Sequence, residues 1–140
     1  MYQVLLAEDE KLIRQGMKHL IEQVVGGFKV MWEAENGRRA LEIMQIERPD
    51  LLVTDIRMPA IDGLELIHRI RRQPSDIPVI VISGYDDFAY AKKAMKFGVR
   101  HYLLKPLEPS EMAQALAEVR GELEARRPSP AAVDETKLIA

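Results

Sequence analysis

Four short stretches of this sequence bring acidic, hydroxyl and ammonium groups directly after runs of apolar residues: Glu8-Asp9-Glu10, Asp55, Ser83-Gly84 and Lys105-Pro106. Each alone has a plain explanation, since a strand must end somewhere and such residues are ordinary ways into a loop. Gathered on one rim, they would form an acidic cluster flanked by a hydroxyl and an ammonium. Carboxylates at Glu8, Asp9 and Asp55 would repel one another, by up to about 4 kcal/mol for a pair about 4 Å apart at a surface-like dielectric. A cation would have to compensate. Hard oxygen ligands without His or Cys suit Mg²⁺, which keeps several waters and takes one or two carboxylates plus a phosphate oxygen. Lys105 and Ser83 would then supply a counter-charge and a donor for the other oxygens of a transferred phosphoryl group. That chemistry is phosphoryl transfer by positioning and charge neutralisation, with a carboxylate as nucleophile.

Groups so far apart in sequence need a scaffold that returns strand ends to one edge. Five apolar runs rich in branched residues read as strands: Val4 to Ala7, Phe28 to Trp32, Leu51 to Thr54, Val79 to Ile82, and Tyr102 to Leu104. Helical patterns lie between them. In the first, Leu12/Ile13, Gly16/Met17, Leu20/Ile21 and Val24/Val25 repeat every four residues and predict one apolar face. A second helix is expected from Arg38 to Glu47 after an Asn36-Gly37 turn, a third from Leu64 to Arg72, and a fourth from Asp86 to Phe97 with Gly98 as its stop. The fifth begins near Pro109 and turns Met112, Leu116, Val119 and Leu123 inward. Strict alternation of strand and helix implies right-handed crossovers and an α/β fold, a doubly wound five-stranded parallel sheet with five helices. Apolar runs such as Pro78-Val79-Ile80-Val81-Ile82 fit strands covered on both faces. In such sheets ligands bind beyond the carboxyl ends of the strands, where the four stretches fall.

With 140 residues and 47% hydrophobic content, one globular domain with one core is expected. The formal charge of −2 gives no sign of a nucleic-acid surface or of a partner at an acidic membrane. The absence of cysteine excludes disulfides, thiolate zinc sites and cysteine nucleophiles, and fits a reducing cytoplasm. No stretch approaches the roughly 20 apolar residues of a membrane span and no signal peptide precedes the first strand, so the expectation is a soluble cytoplasmic protein without a membrane partner. From Arg126 the composition turns to Arg-Arg-Pro-Ser-Pro-Ala-Ala, dividing the chain into a domain over 1–125 and a linker or loose tail over 126–140.

The set Glu8-Asp9, Asp55, Ser83 and Lys105-Pro106, with Met58-Pro59 and Asp62-Gly63 after Asp55, resembles the receiver domain of response regulators, the CheY-like fold, over about residues 2 to 125. That fold carries strand order 2-1-3-4-5. The resemblance implies that Asp55 is the phosphoacceptor for a sensor histidine kinase, that Asp9 binds Mg²⁺ directly and Glu8 through water, and that the main-chain carbonyl of Arg57 completes the protein's share of the metal shell. It implies a cis Lys105-Pro106 bond, with Lys105 paired to the phosphoryl group, and a signalling phosphoacceptor rather than an enzyme. Ser83 and Tyr102 stand where the family has its switch hydroxyl and switch aromatic. Their movement would alter the face built from the fourth helix, fifth strand and fifth helix, and with it a phosphorylation-dependent homodimer. The segment from Ser83 to Ala91 resembles, more narrowly, receivers at the front of AraC-type transcription factors, which implies DNA contact only through an attached effector domain.

Other residues read as ordinary structure. His19, His68 and His101 have no ligand-like neighbours in sequence and are expected at the surface. The run His68-Arg69-Ile70-Arg71-Arg72 reads as a solvated helix end, where cations suit the dipole. Met17, Met44, Met95 and Met112 fall at core spacing. Rival readings are a stand-alone receiver, a pseudo-receiver that binds partners without phosphorylation, a phosphatase with an Asp nucleophile, and a flavodoxin-like carrier. The phosphatase would need a second acid two positions after Asp55, where Arg57 stands, and Glu8-Asp9-Glu10 would repel a flavin phosphate.

Overall fold

The apolar runs form five parallel strands in the computed structural model, which describes residues 1–73, 75–84 and 88–126, the side chain of Phe88 aside. In chain order the elements are β1 (Tyr2–Ala7), α1 (Lys11–Gln23), β2 (Phe28–Ala34), α2 (Gly37–Glu47), β3 (Leu51–Asp55), α3 (Gly63–Arg71), β4 (Val79–Ser83), α4 (Phe88–Lys96), β5 (His101–Leu104) and α5 (Pro109–Arg126). The sheet order is β2-β1-β3-β4-β5, all parallel, as expected. The predicted start of α4 at Asp86, the segment 85–87 and the tail 127–140 lie outside the described residues.

Because neighbouring residues of a strand face opposite sides, the central strands feed two cores at once. Val4 and Leu6 of β1, Leu51 and Val53 of β3, and Ile80 and Ile82 of β4 pack with Met17, Ile21, Met112, Leu116, Val119 and Leu123 of α1 and α5. On the other side Leu5, Leu52, Val79 and Val81 meet Ala40 and Ile43 of α2, Leu66, Ile67 and Ile70 of α3, and Ala94 of α4. Burying each large side chain contributes about 1.5–3 kcal/mol, so both layers pin the central strands in register. Trp32 lies on edge strand β2 and packs, partly buried, against the α2–α3 side.

Two helix starts are set by the side chain before them. Asn36 Oδ1 accepts from the Arg39 N–H at 2.8 Å, and Asp62 Oδ1 from the Glu65 N–H at 2.8 Å, each capping otherwise unpaired donors. Gly98, at φ 78°, follows α4 in the left-handed region, as a helix stop should.

Several expectations are corrected. The apolar face of α1 is only partly used: Met17 and Ile21 are buried, whereas Leu12, in the first turn of the helix, is 81% exposed. Met95 is 65% exposed, because α4 turns Ala94 rather than its neighbour toward the sheet. His101 is buried, with its two ring nitrogens 3.4 Å from Glu118 and Glu122 of α5, which comes from much later in the chain. His68 is exposed but stacks on Phe97, ring centroids 5.0 Å apart.

Arg71 is not part of a solvated helix end either. Its guanidinium donates to the carbonyls of Phe97 at 2.8 Å, Ser75 at 3.2 Å and Ile77 at 2.8 Å, tying the ends of α3 and α4 to the start of β4. Burial holds its pKa below the ordinary arginine value, the nearby Arg126 charge acting in the same direction and Asp76 against it. Arg71→Leu is expected to cost about 2–4 kcal/mol in urea unfolding, since three carbonyls lose a charged donor. A loss of a few tenths, as at an ordinary surface arginine, would contradict the clamp.

Candidate functional site

Parallel strands bring their carboxyl ends to one rim, and Glu8, Asp55, Ser83 and Lys105 each stand at or just past such an end. Glu8 follows β1 and is fully buried, its N–H donating to Ala34 O at 3.0 Å. Glu8 Oε2 accepts from the Glu10 N–H at 3.0 Å and Oε1 from Lys105 Nζ at 3.2 Å. Asp9, next in the chain, is exposed. Asp55 closes β3 and is nearly buried, with Oδ1 accepting from the Ile56 N–H at 2.7 Å and Oδ2 from Lys105 Nζ at 2.9 Å. Glu8, Asp9 and Asp55 each offer an oxygen within 4.8 Å of the others.

Ser83 ends β4 fully buried, donating to Gly84 O at 2.9 Å and accepting from the Tyr102 hydroxyl at 2.6 Å. Lys105 is held on the rim through its own N–H, which donates to Ser83 O at 2.8 Å, and the Lys105-Pro106 bond is cis, as the resemblance implies. Arg57 is exposed, its guanidinium 5.7 Å from the centre of the Tyr90 ring.

The electrostatics follow from packing three carboxyl groups together. Burial pushes the Glu8 carboxyl up to about 7; its bond with Asp9 and the Asp55 charge add to this, while the Glu10 N–H and Lys105 oppose it. Burial also works against the Lys105 ammonium, yet its bonds to Asp55 and Glu8 and their charges outweigh that and raise its pKa. The donor set is all oxygen and over-supplied with negative charge, which fits a hard divalent cation and excludes a soft one.

Two supporting contacts were not legible in the sequence. Thr54 donates its hydroxyl to the Asp55 carbonyl at 2.8 Å. Gly63 donates its N–H to Ile56 O at 2.7 Å, and a Cβ on it would lie 2.2 Å from Asp55 O, so the start of α3 sits backbone to backbone against the end of β3. The Asp62-Gly63 pair figured only in the resemblance, and the fold shows what the missing side chain makes room for.

The family model of the response regulator receiver domain matches residues 4–117. A protein described as the uncharacterized transcriptional regulatory protein YesN of Bacillus subtilis (strain 168) is 42% identical over 123 residues, covering 88% of this chain and 33% of that protein. The transcriptional regulatory protein HptR of Staphylococcus aureus (strain NCTC 8325 / PS 47) is 38% identical over 112 residues, covering 80% and 44%. The chain therefore spans less than half the length of these relatives. Among solved structures, the REC domain of AraT, a response regulator from Geobacillus stearothermophilus, superposes with a TM-score of 0.80 at 38% identity, covering 90% of this chain and 98% of that one. A two component transcriptional regulator AraC from Clostridium phytofermentans ISDg gives 0.80 at 35% identity, covering 92% and 100%.

A carboxyl with a higher pKa in the folded chain than in the unfolded one binds its proton more tightly when folded. Its stabilising contribution is complete below the unfolded value and is withdrawn as pH rises. For Glu8 that window runs from 4.5 to about 7. In metal-free buffer the melting temperature of the wild type is expected to fall relative to Glu8→Gln across this window. Parallel pH profiles would contradict the strained carboxyl at Glu8.

Proposed function

The chain belongs to the response regulator receiver domain family, and on that premise we propose that it is the phosphoacceptor of a two-component system, with Asp55 taking the phosphoryl group from the phosphohistidine of a sensor histidine kinase. The observation that carries this reading is the contact of Lys105 Nζ with Asp55 at 2.9 Å and Glu8 at 3.2 Å inside a cluster of three carboxylates. A carboxylate in that setting has a fixed ammonium on one side and an oxygen-rich cation site on the other.

In the proposed step an Asp55 oxygen attacks the phosphorus, an O–P bond forms, and the N–P bond breaks with its electron pair returning to the imidazole of the kinase. Asp9 and Asp55 would hold Mg²⁺ directly, Glu8 through water, and the Arg57 carbonyl would complete the protein's ligands. When bound, the ion neutralises charge on the transferring oxygens. Lys105 would pass from the Asp55 carboxylate to a phosphoryl oxygen, and Ser83 would donate to another. Because the Tyr102 hydroxyl rests on Ser83 at 2.6 Å, a shift of the serine is felt by the aromatic ring and by β5. That links the acceptor to the α4–β5–α5 face, whose exposed Met95 and Leu104 suit a phosphorylation-dependent homodimer.

Beside Lys105, a groove of about 610 Å³ lined by Ile13, Met17, Leu20, Pro106 and Leu107 offers an apolar seat next to the acceptor, and Leu12 stands exposed on the same helix. It suits a protein donor such as a kinase better than a small polar substrate. The output is proposed to be transcription through an attached AraC-type DNA-binding domain, in the cytoplasm, with residues 126–140 as the connection. The kinship with transcriptional regulatory proteins supports this. Arg57, exposed and directed at Tyr90, leaves the phosphatase reading without its second acid.

Incubation with acetyl phosphate and Mg²⁺ is expected to add one phosphoryl group to the wild type by intact mass and none to Asp55→Asn, and to raise the light-scattering mass of the wild type toward a dimer. Equal labelling of Asp55→Asn would move the acceptor elsewhere.

A further inference from the structure

Arg14 lies one turn into α1 with its side chain only 13% exposed. Its guanidinium turns back toward the rim rather than out to water. Nη1 donates to the main-chain carbonyl of Glu8 at 2.8 Å, and Nε donates to Glu33 Oε1 on β2 at 3.1 Å. Lys18 Nζ lies 3.9 Å from the other Glu33 oxygen. The N–H of Glu8 is also held by β2, donating to Ala34 O at 3.0 Å. Both main-chain groups of Glu8 are thus anchored to the same strand, one directly and one through Arg14.

The peptide unit that begins with the Glu8 carbonyl ends with the Asp9 nitrogen. Holding that carbonyl therefore sets the plane from which the exposed Asp9 side chain departs. It also keeps the Glu8 side chain turned inward, where it meets Lys105 at 3.2 Å. A planar guanidinium that bridges the Glu8 carbonyl and the Glu33 carboxylate does this through two separate donors, a geometry that a lysine does not reproduce.

We propose that Arg14 is a positioning residue for the carboxylates Glu8 and Asp9, acting through the Glu8 main chain and touching neither the cation nor the phosphoryl group. The inference rests on the reading that Glu8, Asp9 and Asp55 bind Mg²⁺. Charge and geometry make opposite demands on Arg14. As a positive charge near a cation site, its removal would tighten Mg²⁺ binding; as a positioning group, its removal must weaken it.

The test is calorimetric titration with Mg²⁺ of the wild type, Asp9→Asn, Arg14→Ala, Arg14→Lys and Glu33→Gln, with folding of each metal-free protein checked by circular dichroism. Arg14→Ala is expected to bind about tenfold more weakly, in the range seen when the partners of metal ligands are removed. Arg14→Lys and Glu33→Gln should fall between it and the wild type. Unchanged or tighter binding by Arg14→Ala overturns the inference, including the case in which its melting temperature drops, since a merely structural arginine lowers stability without altering the affinity of the folded protein. Should Arg14→Ala not fold, unchanged affinity in both Arg14→Lys and Glu33→Gln overturns it equally. Wild type and Asp9→Asn that bind Mg²⁺ alike would instead show the metal reading itself to be wrong.

Discussion

The ammonium of Lys105 between the carboxylates of Asp55 and Glu8 is the interaction on which the rest of the rim depends. Its partners come from the ends of β1 and β3, so one charged group joins three strands whose sequences are far apart. Removing the lysine would leave two buried carboxylates without compensation, which costs far more than the contact contributes when intact. With its three carboxylates ionised the cluster carries two more negative charges than the lysine can balance, with Asp9 at the open side. A group of this kind stores an unfavourable field that an incoming cation and phosphoryl group would relieve. Burial adds to this at Glu8, where it is the chief cause that pushes the carboxyl up to about 7, the Asp55 charge acting in the same direction.

Such a field can be held only by a rigid frame. The two cores supply it, because Leu5, Leu52 and Val81 on one side of the sheet and Leu6, Val53 and Ile82 on the other lock the same three strands. Near the rim the control becomes local. Thr54 holds the carbonyl of Asp55 and Gly63 that of Ile56, and Arg14 and Ala34 fix the backbone of Glu8. The frame is tied at the opposite end by Arg71, which joins α3, α4 and the start of β4 through carbonyl oxygens. One end of the sheet is thus built from charge held in place, and the other from charge that holds backbone.

Much of this was legible in the residues themselves. Strands apolar on both faces, alternating with helical patterns, predicted a buried parallel sheet with five helices, and the strand order is the one the resemblance implied. Glu8, Asp9, Asp55, Ser83 and Lys105 stood out because a carboxylate, hydroxyl or ammonium after an apolar run is placed by topology alone. What escaped the sequence depends on contacts between distant elements. Spacing put Leu12 and Met95 on apolar faces, but it could not show that the described residues leave both exposed. His101 gave no sign of the two glutamates that α5 lays across it, and Arg71 looked like its solvated neighbours Arg69 and Arg72 until the ends of three elements met around it. Arg14 was invisible for the same reason, since its partners are a carbonyl and a carboxylate that only the folded loop brings near.

A crystal structure with Mg²⁺ and beryllofluoride, which imitates the phosphoryl group, would locate the acceptor oxygen and the metal ligands together. Beryllium is expected on an Asp55 oxygen, Mg²⁺ about 2.1 Å from oxygens of Asp9 and Asp55, and Lys105 Nζ and Ser83 Oγ each on a fluorine. Beryllium on another carboxylate, or Mg²⁺ bound away from Asp9 and Asp55, would contradict it.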